Sequence, residues 1–165
     1  MRPFSLKNLK LGWALTLVST LLCHFHVNAV QIELAALTPL NARIPPTSSK
    51  RSTLVMIYQP DCTWCKKQGQ FLAQAHKLCP DTVNIALIGA MGSTRQLKQE
   101  LRHYSSAFPA YLADRKFLRH INYQASPTTL IINNQGEVLA NQRGFVTSDK
   151  LSKAFHILTQ GHCQI

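Results

Sequence analysis

The segment LVMIYQPDCTWCKK, residues 54–67, decides how the rest of the chain is read. Leu54 to Tyr58 is apolar at every position, which suits a strand covered on both faces rather than one with a wet side. Gln59-Pro60-Asp61 ends the run, Cys62 follows at once, and Cys65 comes three residues later. From Lys66 the pattern is helical. Phe71, Leu72, Ala75 and Leu78 recur at spacings of three and four, and Pro80 stops the helix just past Cys79. A Cys-x-x-Cys pair is thus expected where a buried strand gives way to a helix. Free N–H groups and the positive end of the helix dipole favour a thiolate there, and the thiolate is the attacking species in disulfide exchange. Cys62 is expected to face solvent as the nucleophile. Cys65, one turn inside, is expected to be shielded and to resolve the mixed disulfide.

Two other readings of this pair compete. A zinc half-site needs further ligands of close geometry, but the chain has no second Cys-x-x-Cys and no HxxxH or HxH pair among His76, His103, His120, His156 and His162. No resident metal or cofactor is therefore expected. A purely structural bridge between Cys62 and Cys65 closes too small a loop to contribute much stability.

Around this unit, residues 30–36 alternate as a short first strand. Residues 37–52, with Pro39, Pro45 and Pro46, read as an extended connector. Val83 to Ile88 is a second buried strand, and Ser93 with Gln96 forms a capping box for a helix over 94–103. A short helix is expected at Asp114 to His120, and a third core strand at Thr128 to Ile132. Asn134-Gln135-Gly136 turns the chain into Val138 to Ala140 as an antiparallel hairpin. Ser148 is expected to cap a last helix, with Leu151, Ala154, Phe155 and Leu158 inward and Gly161 at its end. The order fits an α/β fold with a mixed sheet and helices on both faces.

The first 29 residues differ in kind. Arg2, Lys7 and Lys10 precede an apolar run from Leu11 to Cys23, no acid occurs before Glu33, and Val27-Asn28-Ala29 places small residues at a cleavage site. This is the pattern of a secretory signal peptide cut after Ala29. The run falls short of the ~20 residues of a comfortable bilayer span, although an uncleaved signal would leave the protein anchored to the membrane. Removing Arg2, Lys7 and Lys10 lowers the net charge from +11 to +8. The remaining cations, among them Lys66-Lys67, Arg95, Lys98, Arg102, Arg115, Lys116 and Arg119, are scattered without interleaved aromatics, so nucleic acid is not an expected partner. Export puts Cys62, Cys65, Cys79 and Cys163 in an oxidising compartment, where two bridges account for every mature thiol.

Together, residues 54–67 and SPTTLIINNQGEVLANQRG (126–144) resemble the thioredoxin superfamily, and in particular bacterial periplasmic thiol:disulfide reductases and isomerases. The resemblance spans roughly Leu54 to Leu158. It implies a thioredoxin-like domain over 53–165, preceded by the signal peptide (1–29) and an N-terminal strand and linker (30–52). Pro127 matches the family's cis-proline, which sits beside the active-site sulfurs and whose neighbouring backbone pairs with substrate; read without the family, it is a strand-initiating proline. Ser126 is similar to the Thr that reductases and isomerases carry before that proline. Where cytoplasmic-type thioredoxins have a buried Asp, this chain has Met56. Where they have Trp before the first cysteine it has Asp61, with Trp64 between the cysteines as either a substrate lip or rim packing. In a fold of this kind the CxxC helix and the last helix share a face of the sheet and run the same way. Cys79 and Cys163 are then neighbours, expected as a structural disulfide, with a second redox relay or free thiols as the rival reading. The implied activity is reduction or isomerisation of protein disulfides in the periplasm by a monomer, recharged by a membrane or periplasmic electron donor. A dithiol oxidase of the same fold and a non-enzymatic CxxC metallochaperone or assembly factor remain the alternatives.

Overall fold

The computed structural model describes residues 30–43, 51–80, 82–163 and 165. The signal sequence read at 1–29 and the Pro45-Pro46 part of the connector lie outside the described residues. Six strands form one sheet in the order β1-β4-β3-β2-β5-β6: β1 (Thr38–Pro39), β2 (Thr53–Tyr58), β3 (Asn84–Gly89), β4 (Ala110–Leu112), β5 (Thr128–Ile132) and β6 (Val138–Arg143). Strands β2, β3 and β4 run parallel, while β1, β5 and β6 pair antiparallel to their neighbours. Between and after them lie α1 (Thr63–Leu78), α2 (Thr94–Glu100), α3 (Arg115–His120) and α4 (Ser148–Leu158).

β2 is buried at all six positions. Its side chains alternate between two apolar layers, as the period of two requires. Leu54, Met56 and Tyr58 enter the layer under α1, α2 and α4 with Leu72, Leu97, Leu151 and Phe155. Val55 and Ile57 enter the opposite layer with Phe117 and Ile121 at α3. An all-apolar strand is therefore what a central position with helices on both faces demands.

Four expectations are corrected at the edges. Residues 30–36 do not form a strand. Gln31 makes one bridge to Glu137, held by Ile32 N–H to the Gly136 carbonyl (2.7 Å) and Val138 N–H to the Val30 carbonyl (2.8 Å). Beyond it Leu34–Ala36 coils into a 3₁₀ turn, because the hairpin reverses at Gly136 and offers no further partner. Gly136 is required twice: its φ is +85°, and a Cβ there would lie 2.6 Å from the Ile32 carbonyl oxygen. The edge strand that does form, β1, falls within the expected connector, where Pro39 is tolerated because it sits on a sheet edge. The three-residue β4 carries too little pattern to be seen in the sequence. Finally, Thr147 rather than Ser148 is the N-cap of α4, and its side chain makes no capping bond.

The other signals hold. Ser93 and Gln96 form both bonds of a capping box on α2, though the last turn of the expected 94–103 helix tightens into a 3₁₀ segment, Leu101–His103. Asp114 Oδ1 accepts the Phe117 N–H at 2.6 Å and starts α3. Cys79 and Cys163 are joined as a disulfide, Cα atoms 5.9 Å apart and 84 residues apart in sequence. Closing a loop of that length removes about 4–5 kcal/mol of unfolded-state entropy in the chain model. The double variant C79S/C163S is accordingly expected to lose about 2–5 kcal/mol in urea denaturation while the Cys62–Cys65 pair still cycles between oxidised and reduced forms.

Candidate active site

All three parallel strands point their C-terminal ends the same way, and the chain leaves β2 through Gln59-Pro60-Asp61 directly into α1. Asp61 takes a left-handed φ of +58°, a conformation Asp tolerates better than most residues. The turn makes Cys62 the N-cap of α1, and helix begins at Thr63, three residues earlier than the Lys66 read from periodicity. Cys62 Sγ accepts the Cys65 N–H at 3.1 Å, doing with sulfur what a capping Ser or Asp does with oxygen. The two cysteines are disulfide-bonded. Cys62 is 8% exposed and Cys65 0%, so the first cysteine keeps a small opening to solvent and the second none.

β5 brings Pro127 to the same end of the sheet. Thr128 lies opposite Ile57, which places Ser126-Pro127 beside the exit of β2. The Ser126–Pro127 peptide is cis. Ser126 directs its hydroxyl inward, toward the Ile57 carbonyl (3.5 Å) and the Tyr123 hydroxyl (2.8 Å). Tyr123 in turn donates to Gln59 Oε1 (3.3 Å). Tyr123, which no pattern in the sequence marks, thus ties the segment before Pro127 to the segment before Cys62.

Gln68 belongs to the same framework. It lies on the inward stripe of α1 with Cys65, Leu72 and Ala75 and is 0% exposed. A polar residue on that stripe was the available signal. Its Nε2 donates to Thr129 Oγ1 on β5 at 2.7 Å, and its Oε1 accepts the Val146 N–H at 2.9 Å from the loop before α4. That anchor sets Phe145 against Trp64, with ring centroids 5.0 Å apart. Trp64 is 55% exposed. Lys67 lies over both rings, 5.3 Å from the Trp64 centroid and 5.5 Å from that of Phe145.

Behind the pair, Glu100 of α2 is 5% exposed and faces Lys66 Nζ at 3.4 Å. Tyr58 donates to the Leu97 carbonyl (3.2 Å) and packs edge-on against Tyr104. Burial, and after it the negative charge of Glu100, holds the Tyr58 and Tyr104 phenols well above the usual tyrosine range. Burial alone pushes Tyr111 up to about 12. Among the described residues no cluster of three or more His, Cys, Asp or Glu has the geometry to hold a metal ion, and no helix is long and apolar enough to cross a membrane.

The model of the thioredoxin-like domain family matches residues 43–158. The chain belongs to this family. Among curated proteins none matches it significantly, but solved structures share its thioredoxin-like fold. DsbF of MTB, in mixed oxidized and reduced forms, is similar with a TM-score of 0.62 at 16% identity, over 74% of this chain and 93% of that one. A secreted Mycobacterium tuberculosis disulfide oxidoreductase homologous to E. coli DsbE gives 0.62 at 16% identity, over 78% and 97%. The exposed lipoprotein thioredoxin Etrx1 of Streptococcus pneumoniae gives 0.62 at 14%, over 74% and 97%. At such identities the likeness is one of fold. Within that thioredoxin-like fold, this chain carries a disulfide-bonded Cys-x-x-Cys at the N-terminus of α1.

Two outcomes follow from these contacts. Gln68→Ala strands the buried Val146 N–H and Thr129 hydroxyl, and is expected to lower stability by about 2–3 kcal/mol in thermal or urea unfolding. Stability is also expected to fall as pH rises above about 10. The unfolded phenols ionise there, whereas Tyr111 keeps its proton to about 12 and Tyr58 and Tyr104 beyond it. The folded state therefore binds more protons across that window, and its advantage, complete below pH 10, drains away on the alkaline side. Stopped-flow absorbance of phenolate against unfolding monitored by circular dichroism checks the sign.

Proposed function

We propose that this protein is an exported thiol–disulfide oxidoreductase of the reductase or isomerase type, acting on protein disulfides in the periplasm. The observation that carries the proposal is Cys62 at the N-cap of α1, with its sulfur already receiving a backbone N–H and its partner fully enclosed. An N–H bond and the positive helix end both favour the thiolate form. In the reduced protein the Cys62 thiolate attacks one sulfur of a substrate disulfide; a Cys62–substrate bond forms, the substrate S–S bond breaks, and one substrate thiolate leaves. The Cys65 thiol then attacks Cys62 Sγ, its proton passing to the substrate sulfur that departs. The second substrate thiol is expelled and the Cys62–Cys65 disulfide closes. Two electrons have passed to the substrate, and a separate dithiol donor restores the pair. The backbone beside Pro127 and the Trp64 ring are assigned to substrate contact. The Ser126 hydroxyl is assigned to holding the Pro127 segment in place. Cys79–Cys163 is assigned as a staple outside the redox cycle.

Residues 1–29 are assigned as the export signal, and a second disulfide in the chain accords with an oxidising destination. The same sulfur geometry also serves a dithiol oxidase, because stabilising the reduced thiolate raises the oxidising power of the disulfide. The reduction potential of the pair separates the two: a value near the glutaredoxin or thioredoxin range supports the reductase, and one near the strongly oxidising end supports the oxidase. Cys62→Ala is expected to abolish reduction of insulin disulfides by a dithiol-coupled assay. Cys65→Ala is expected to accumulate a covalent substrate complex that dithiothreitol releases, visible on non-reducing gels. Absence of both effects in folded protein would exclude the assignment of these two cysteines.

A further inference from the structure

Two aromatic rings and a cation stand at the mouth of the site, and the chemistry above does not use them as a set. Trp64, Lys67 and Gln68 lie on one stripe of α1, since residues three and four apart share a helix face. Gln68 turns inward and fastens the loop that carries Phe145, while Trp64 and Lys67 remain on the surface. The result is a ledge one turn from Cys62, built from two elements and locked from beneath. Lys67 caps it without an anionic partner: among the described residues the ion pair formed is that of Lys66 with Glu100. Arg143, exposed at the end of β6 opposite Thr128 and two residues before Phe145, likewise has no acidic partner among the described residues. Asp61, exposed and three residues before Trp64, lies on the N-terminal side of Cys62, outside α1.

We propose that Trp64, Phe145 and Lys67 form a specificity subsite, extended by Arg143, for an apolar side chain accompanied by a carboxylate in the substrate segment flanking the target cysteine. The proposal rests on the oxidoreductase reading and deepens it by naming the substrate class: disulfides set in acidic, apolar protein segments. The rings offer contact area at small entropy cost, as anchoring aromatics do at interfaces. The unpaired cations select the sign of the neighbouring charge and repel basic segments. A carboxylate placed against Lys67 leaves its cation–π contacts in place, so the two kinds of recognition reinforce each other.

The test uses homodisulfides of three six-residue peptides in which the cysteine is flanked by Leu-Glu, by Leu-Lys or by Ser-Ser, with 2-hydroxyethyl disulfide as a small neutral control. The wild-type chain, kept reduced by a coupled dithiol, is expected to reduce the Leu-Glu peptide with a kcat/KM about fivefold above the Leu-Lys peptide, the scale of one or two exposed charge pairs. It should exceed the Ser-Ser peptide by a similar factor, and the Leu-Glu advantage over Leu-Lys should shrink in 1 M salt. Lys67→Glu should reverse the charge ranking and Lys67→Arg should keep it. Phe145→Ala should raise KM for both Leu peptides toward that of Ser-Ser. Equal kcat/KM for the three peptides in wild type, or a ranking unmoved by Lys67→Glu, overturns the subsite. Failure to reduce 2-hydroxyethyl disulfide would instead count against the oxidoreductase reading itself, so the two failures are separable.

Discussion

The side chain of Gln68 is enclosed on every side, so both ends of its amide must be matched by protein groups or the helix carrying it becomes unstable. They are matched by two elements distant in sequence: Thr129 on β5 and the Val146 N–H before α4. Because α1 also carries Cys62 and Cys65, the same amide sets where the sulfurs stand relative to the strand that begins at Pro127 and the loop that carries Phe145. Apolar contacts would tolerate a slide of α1 along the sheet. Two hydrogen bonds of 2.7 and 2.9 Å do not, since their geometry is narrow. The site is thus assembled by a polar constraint within an otherwise apolar layer.

Central parts of this architecture are legible in the sequence because burial on two faces leaves an unbroken signal. Leu54 to Tyr58 is apolar throughout and is enclosed throughout. The strand–CxxC–helix junction, the hairpin turn at Asn134-Gln135-Gly136 and the capping box at Ser93 are local chemistry, and each is found where its residues stand. The periphery is less legible. Residues 30–36 alternate like a strand, yet the backbone partner they require ends at Gly136, and no local pattern records the length of a distant neighbour. β4 is too short for any period to develop. The site divides the same way. Cys62, Cys65 and Pro127 announce themselves by residue type and spacing, whereas Gln68 and Tyr123 act through partners 61 to 78 residues away and Glu100 through the fold of α2 against α1. Of these, Gln68 alone left a trace, as a polar residue on an apolar stripe.

Charge near the pair is arranged in layers. Glu100 sits beneath the surface, with Lys66 neutralising it at 3.4 Å. Among the described residues the outer cations, Lys67 and Arg143, have no acidic partner. Met56, where cytoplasmic-type thioredoxins place a buried acid, packs into the apolar layer with Cys65, Leu72 and Tyr104. Among the described residues the buried carboxylate is Glu100, on α2 rather than on the central strand.

One helix begins and ends in cysteine: Cys62 is the N-cap of α1 and Cys79 its C-cap. The aligned peptide dipoles of the intervening turns make its first end electropositive and its last electronegative. A thiolate leaving from Cys62 is therefore eased, and one leaving from Cys79 is opposed, by the same backbone. Since the stability of the departing thiolate governs how readily a disulfide is exchanged, α1 acts as a sorting axis. On the roles proposed for the two bridges, that polarity favours exchange at Cys62–Cys65 and opposes it at Cys79–Cys163, although both belong to one chain in one solvent.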